Sequence, residues 1–170
     1  AMGAPVIEEG TSLKISPVRR IRSLDVTVPG DISSAAFWMV AAVCHQNAKL
    51  KLLNVGINPG RTGIVDVLEG MGANIKMENL RTEGGEPVAD VLVESSDLHG
   101  IEVGGDLIPR SIDEIPLIAL AACFARGKTV IRDAEDLRNK ESDRISMTVK
   151  ELNRVGARLE ELPDGFSIEG

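Results

Sequence analysis

Two stretches of the chain are almost free of charge for the length of a helix. The first follows Asp31 and runs Ile32-Ser33-Ser34-Ala35-Ala36-Phe37-Trp38-Met39-Val40-Ala41-Ala42; the second follows Asp113 and runs Glu114-Ile115-Pro116-Leu117-Ile118-Ala119-Leu120-Ala121-Ala122-Cys123-Phe124. A helix that is apolar all round is buried on every side, so both are expected to form the centre of the fold. The Asp before each is an N-cap candidate, because its carboxylate can accept from the free N–H groups of a first turn. A short strand is expected after each, at Leu50–Val55 and Thr129–Arg132, and then a second helix. These second helices carry apolar residues at spacings of three and four: Ile64, Val67, Leu68 and Met71 in one, Ile145, Val149 and Leu152 in the other. The first is expected to start at Asn58-Pro59 and the second near Ser142.

The pattern repeats. Gly70-Met71-Gly72-Ala73-Asn74-Ile75 matches Arg154-Val155-Gly156-Ala157-Arg158-Leu159, and Gly72 and Gly156 suit a left-handed residue closing a helix. Alternation also predicts strands at Leu13–Ile15, Leu24–Val28, Val91–Val93 and Ile101–Val103. The period is about 84 residues. Each unit reads strand, strand, helix, strand, helix, strand, a βαβαββ-type α/β (α+β) unit with a buried Ala-rich helix. The expected organisation is residues 1–10 as a tag remnant or linker, 11–96 as a first unit, 97–163 as a second, and 164–170 as the start of a third. Glu83-Gly84-Gly85-Glu86-Pro87 reads as a surface loop between units, and the chain as one partial domain, a truncated piece.

Composition narrows the function classes. Of 170 residues, 43% are hydrophobic and 26% charged, as in a globular domain with a core. Aromatic residues are only 2%, which leaves no stacking platform for single-stranded nucleic acid. A net charge of −7 gives no general attraction to nucleic acid or anionic membrane, so an anionic ligand needs a local cation cluster. The apolar runs are too short to span a bilayer. Cys44 and Cys123 lie in apolar runs and read as small buried hydrophobes; neither they nor His45 and His99 have metal-ligand spacing.

Three places can hold chemistry. Asp113, where a loop enters the second buried helix, is either a helix cap or a rigidly held general base. The densely charged run from Asp133 to Arg144 is either a solvated helix start or an anion site. In the second case Arg138, Lys140 and Arg144 gather at a helix N-terminus, and Glu141 is a proton-transfer group. Asp31 with Ser33 and Ser34 is either a cap and turn or a second anion-binding N-terminus. Asn58-Pro59-Gly60-Arg61-Thr62-Gly63 lacks the Gly-Lys-Ser/Thr ending of a P-loop.

Four motifs taken in order, Gly30-Asp31-Ile32-Ser33-Ser34-Ala35, Asn58-Pro59-Gly60-Arg61-Thr62-Gly63, Asp113-Glu114-Ile115-Pro116 and Asn139-Lys140-Glu141-Ser142-Asp143-Arg144-Ile145, resemble those of EPSP synthases (3-phosphoshikimate 1-carboxyvinyltransferases). The resemblance covers nearly the whole chain after the first dozen residues. It implies the enolpyruvyl transferase fold, an inside-out α/β barrel with helices inside, built from two domains of three units each. It also implies transfer of the enolpyruvyl group of phosphoenolpyruvate to the 5-hydroxyl of shikimate 3-phosphate, releasing phosphate. That is a cytoplasmic step towards chorismate and the aromatic amino acids, in the family targeted by glyphosate. No cofactor or metal is implied.

By position, the resemblance makes Asp113 the acceptor of the 5-hydroxyl proton and Glu141 the group handling protons at the phosphoenolpyruvate methylene. It makes Lys140 a contact to the 3-phosphate and Arg144 a clamp on phosphoenolpyruvate. Asp136, where some members carry Asn, is given no role. The first domain's substrate-binding residues have no counterpart here, so the piece alone is expected to be inactive and to self-associate through uncovered apolar surface. Two other readings remain: a non-catalytic module binding an anion or a partner chain, and an enolpyruvyl transferase acting on UDP-N-acetylglucosamine.

Overall fold

The computed structural model describes residues 2–170. Its centre is a pair of packed helices, α1 (Ile32–Cys44) and, later in the chain, α4 (Ile115–Ala122). Asp31 begins α1 as an N-cap, its carboxylate accepting from the Ser34 N–H at 3.0 Å. One face of α1 (Ile32, Ala35, Ala36, Met39, Val40, Val43) is buried, as spacings of three and four require. The opposite face is open: Phe37 and Trp38 are more than half exposed, so burial on all sides does not hold within the described residues.

From α1 the chain passes through β3 (Lys49–Gly56), α2 (Gly63–Gly70), β4 (Asn74–Glu83) and β5 (Glu86–Glu94), after an N-terminal hairpin of β1 (Val6–Glu9) and β2 (Ser12–Ile15). Then come β6 (Glu102–Val103), the short α3 (Leu107–Ser111), α4, β7 (Lys128–Ile131), a 3-10 turn at Glu135–Asn139, α5 (Arg144–Arg154), β8 (Arg158–Leu162) and β9 (Gly165–Glu169). The first sheet is ordered β3-β5-β4, with Gly30 bridging in parallel to Val55 at its β3 edge. The second is ordered β6-β7-β9-β8, with β6 parallel to β7. Gly72 and Gly156 close α2 and α5 at φ 95° and 100°.

Several expectations are corrected. Asp164–Gly170 opens no third unit: β9 pairs antiparallel with both β7 and β8 and completes the second sheet, burying Phe166 and Ile168. Gly165 packs so closely on the Ile131 carbonyl that no Cβ fits there. Val6–Glu9, inside the ten residues read as tag remnant or linker, is strand β1. Leu24–Val28 forms no strand, because its alternating residues find no partner edge and stay exposed. Glu83–Pro87 is not a link between units but the β4–β5 turn, with Gly84 and Gly85 at positive φ.

Asn58-Pro59 does not start α2. The Asn58 side chain accepts from Gly60 N–H at 3.0 Å, making a turn, and the helix begins only after Thr62. Nor does Asp113 cap α4: Glu114 occupies that place, preceded by α3. Loop 58–62 and α3 meet tightly. A Cβ on Gly63 would lie 2.8 Å from the Arg110 backbone. Arg110 donates to the Pro59 carbonyl at 2.8 Å and pairs with Asp66 at 2.7 Å.

Candidate active site

Arg144 is the first residue of α5, whose start is fixed by Asp143: its carboxylate accepts from the Ser146 N–H at 3.0 Å. Capping takes Asp143 out of the site and points Arg144 across to the loop before α4. There its guanidinium donates to Asp113 at 3.1 Å, and on its other edge to Glu141 at 2.7 and 3.1 Å. Lys140 stands 3.9 Å from Asp113 on the other side. The structure therefore gathers Asp113, Lys140, Glu141 and Arg144, four residues from two segments about thirty positions apart, into one alternating cluster of charge.

The electrostatics follow from these bonds. The hydrogen bond from Arg144 holds the Glu141 carboxyl below its usual range, helped by its own backbone N–H and by Lys140. The same bond, with Asp113 adding to it, raises Arg144. Glu141 is thus an ionised carboxylate while it is bound to Arg144. Half of the Asp113 side chain is exposed and three quarters of that of Arg144 is covered, so a ligand can reach the carboxylate while the cation stays positioned. The cluster opens onto a groove of ≈ 510 Å³ whose other walls are mostly apolar, Phe37, Pro116, Leu117, Leu120, Met147 and Leu152, with Thr148 and Glu151 beside them.

Arg138, the third cation of the charged run, does not join the cluster. It turns away to Asp143 at 2.8 Å, Glu161 at 2.9 Å and the Pro163 and Leu162 carbonyls, and ties the 3-10 turn to β8. Asp136 is exposed and apart. Each cysteine is half-buried; burial, and then Cys123, pushes the Cys44 thiol up to about 11, which makes it a poor nucleophile. Among the described residues no group of three or more His, Cys, Asp or Glu can hold a metal ion.

A second cluster lies at the start of α1. Arg61 donates to Ser33 Oγ at 2.8 Å and reaches Asp31 at 3.4 Å. Burial acts to raise the Asp31 carboxyl, but the N–H groups of Ser34 and Ser33, the Ser34 hydroxyl and Arg61 together hold it below its usual value. Asp31 with Arg61 thus mirrors Asp113 with Arg144: an acid before the buried helix, a cation at or just before the start of the amphipathic one. Sequence reading gave Arg61 no role: it took 58–63 as a helix start and a family motif, and set it aside as a P-loop. The available signal was its place beside the second helix, as with Arg144. It also passed over Glu114, a carboxylate at a buried position inside an apolar run.

The comparisons with known proteins agree with one another. The family model described as EPSP synthase (3-phosphoshikimate 1-carboxyvinyltransferase) matches residues 1–170. The chain is 53% identical over 170 residues to 3-phosphoshikimate 1-carboxyvinyltransferase of Gloeobacter violaceus, covering 100% of itself and 39% of that protein. It is 52% identical over the same span to its counterpart in Bacillus cereus, with 40% of that protein covered. The chain thus spans about 40% of the length of the curated relatives it matches. Among solved structures, EPSP synthase from Acinetobacter baumannii superposes at a TM-score of 0.94 with 42% identity, over 99% of this chain and 38% of that one. The enolpyruvyl transferase NikO from Streptomyces tendae, at 0.65 and 19% identity over 99% of this chain and 37% of that one, shares the fold.

Proposed function

Because the chain belongs to the EPSP synthase family, we propose that the whole protein transfers the enolpyruvyl group of phosphoenolpyruvate to the 5-hydroxyl of shikimate 3-phosphate. The observation that carries the reading is the cluster of Asp113, Lys140, Glu141 and Arg144 at the rim of the groove. The reaction needs a base for the hydroxyl, a group to give and take a proton at the methylene carbon, and cations for two anionic substrates.

In this reading Asp113 accepts the 5-hydroxyl proton as the oxygen bonds to the central carbon of phosphoenolpyruvate. Lys140 holds the 3-phosphate, and Arg144 clamps phosphoenolpyruvate through parallel hydrogen bonds. An anion arriving at Arg144 competes with Glu141 for the guanidinium. Glu141 then loses the bond that keeps it ionised and gains a negative neighbour, and both changes favour its protonation. It can then protonate the methylene, and take a proton back as phosphate leaves. The location that goes with this reading is the cytoplasm; no helix among the described residues is long and apolar enough to cross a membrane.

The two sheets support reading the chain as successive copies of one unit of an inside-out α/β barrel. Each copy has a parallel edge piece (Gly30 or β6), then the strand after the buried helix, then an antiparallel pair. Further units in the whole protein would cover the open face of α1 and α4, where Phe37, Leu117, Leu120 and Phe124 line a groove of ≈ 320 Å³. Other parts of the whole protein would complete the substrate site.

The test is phosphate release by the whole protein with both substrates, beside Asp113→Asn and Glu141→Gln. Each variant is expected to lose about 10²–10⁴-fold in kcat while still binding shikimate 3-phosphate. Full activity in Asp113→Asn would overturn the assignment of the base.

A further inference from the structure

Glu114 is 4% exposed, and its carboxylate oxygen Oε1 has no hydrogen-bond partner among the described residues. The helix start does not need this side chain. The Glu114 backbone N–H donates to the Ser111 carbonyl, and its carbonyl accepts from Leu117 and Ile118, with no side-chain cap. A buried carboxylate without a partner is costly, and a positioned cation removes that cost.

Glu114 lines a cleft of ≈ 220 Å³ together with Gly60, Arg61, Arg110 and Asp113. Arg110 is committed elsewhere, to Asp66 at 2.7 Å and the Pro59 carbonyl. Asp113 is taken by Arg144. Arg61 is the charge held only at the surface: its side chain is 56% exposed, 3.4 Å from Asp31 and bonded to Ser33 Oγ at 2.8 Å. Exposed pairs of that kind contribute little, so leaving one is easy.

We propose that Glu114 is a positioning residue for Arg61. When an anionic substrate occupies Lys140 and Arg144, Arg61 leaves Asp31 and Ser33, turns into the cleft and pairs with Glu114, closing loop 58–62 over Asp113. The substrate's negative charge beside Asp113 adds to the pull of Glu114 on the guanidinium, and removal of water from the cleft strengthens both. The inference rests on the transferase reading for the identity of the anion.

The experiment uses the whole protein and titrates shikimate 3-phosphate, without phosphoenolpyruvate, into wild type, Glu114→Gln, Arg61→Gln and the double variant. Ligand-free melting temperatures are recorded in parallel. Each single change is expected to weaken binding by about tenfold, within the coupling range of contacting residues, and the double variant to be no weaker than either. The ligand-free melting temperature of Glu114→Gln should not fall, because the charge removed has no partner there.

Wild-type affinity in Glu114→Gln would overturn the proposal. So would losses that multiply in the double variant, or a Glu114→Gln protein that melts lower or does not fold without ligand. If wild type itself fails to bind shikimate 3-phosphate, the transferase reading falls and this proposal with it. Binding that is unaffected by the substitutions removes this proposal alone.

Discussion

At the scale of single residues, Arg144 decides the most. It touches both candidate proton-transfer groups, at 3.1 Å to Asp113 and 2.7 Å to Glu141, through a planar fork. A lysine keeps the charge but cannot hold Asp113 and also give two parallel bonds to the anion that displaces Glu141. Arg144→Lys is therefore expected to raise KM for phosphoenolpyruvate at least tenfold in steady-state assays of the whole protein, with a smaller loss in kcat. Unchanged KM would mean that the clamp lies elsewhere.

The carboxylates also set an acid limit. Hydrogen bonds to the Asn54 N–H and the Asn79 side chain hold Asp90 below its usual value, and the Ser146 N–H does the same for Asp143. A group depressed in the folded state adds stability above its unfolded pKa and loses it as pH falls through the folded one. Stability is expected to be flat above about pH 5 and to fall progressively towards pH 3, read by thermal scans. Asp143→Asn should flatten that fall.

At the scale of elements, the two helix-closing glycines make a controlled pair. Both have φ near 100°, but a Cβ at Gly156 meets nothing within 4 Å, whereas one at Gly72 lies 3.1 Å from the His99 ring. Gly156→Ala is expected to cost about 1 kcal/mol from the backbone alone, and Gly72→Ala more, in urea unfolding. Equal costs would show that the His99 ring yields freely.

The bulges of the first sheet form a second such device. Asn54 and Asn79 both have positive φ, on the strands either side of β5, and the Asp90 side chain bonds to each. The bulge at Asn54 lets its carbonyl accept from Gly30 N–H at 2.7 Å, and so sets the entry into α1 beside Asp31. Asp90→Ala should lower Tm by ~5 °C and loosen Arg61 from Ser33.

At the scale of the whole molecule, the open face of α1 and α4 dominates. Phe37, Trp38 and Phe124 are each more than 60% exposed, on a chain that spans about 40% of its curated relatives. Taken alone, the 170 residues are expected to associate as concentration rises, read by light scattering, and to turn over no substrate. The single tryptophan, Trp38, lies on that face, so its emission should shift to shorter wavelength as association proceeds. A monomer with unshifted emission at high concentration would show that the face needs no cover.

How much was legible from sequence depended on whether the signal was local. Apolar runs located α1 and α4, spacings of three and four located α2 and α5, and the paired Gly-x-Gly and Val-Gly endings located their closures; all of these are written in neighbouring residues. The alternation at Leu24–Val28 misled, because alternation states what a strand would look like and not whether an edge exists to pair with. The edge at β8 likewise claimed the final seven residues, which a repeat argument assigned to a new unit. Asp113 looked like a cap because it precedes an apolar helix, but helix α3 and Glu114 displace it, and only the approach of α5 gives it a partner in Arg144.

Periodicity thus determined most of the elements, and four short motifs carried the resemblance to the family, since both are written in neighbouring residues. Tertiary structure decided which charges meet: Arg138 is drawn off to β8 while Arg144 is drawn in to Asp113. It also left Glu114 buried and Arg61 unburied across one cleft. Pairing of charges depends on distances between segments far apart in sequence, and those distances exist only once the two sheets and the helices between them have packed.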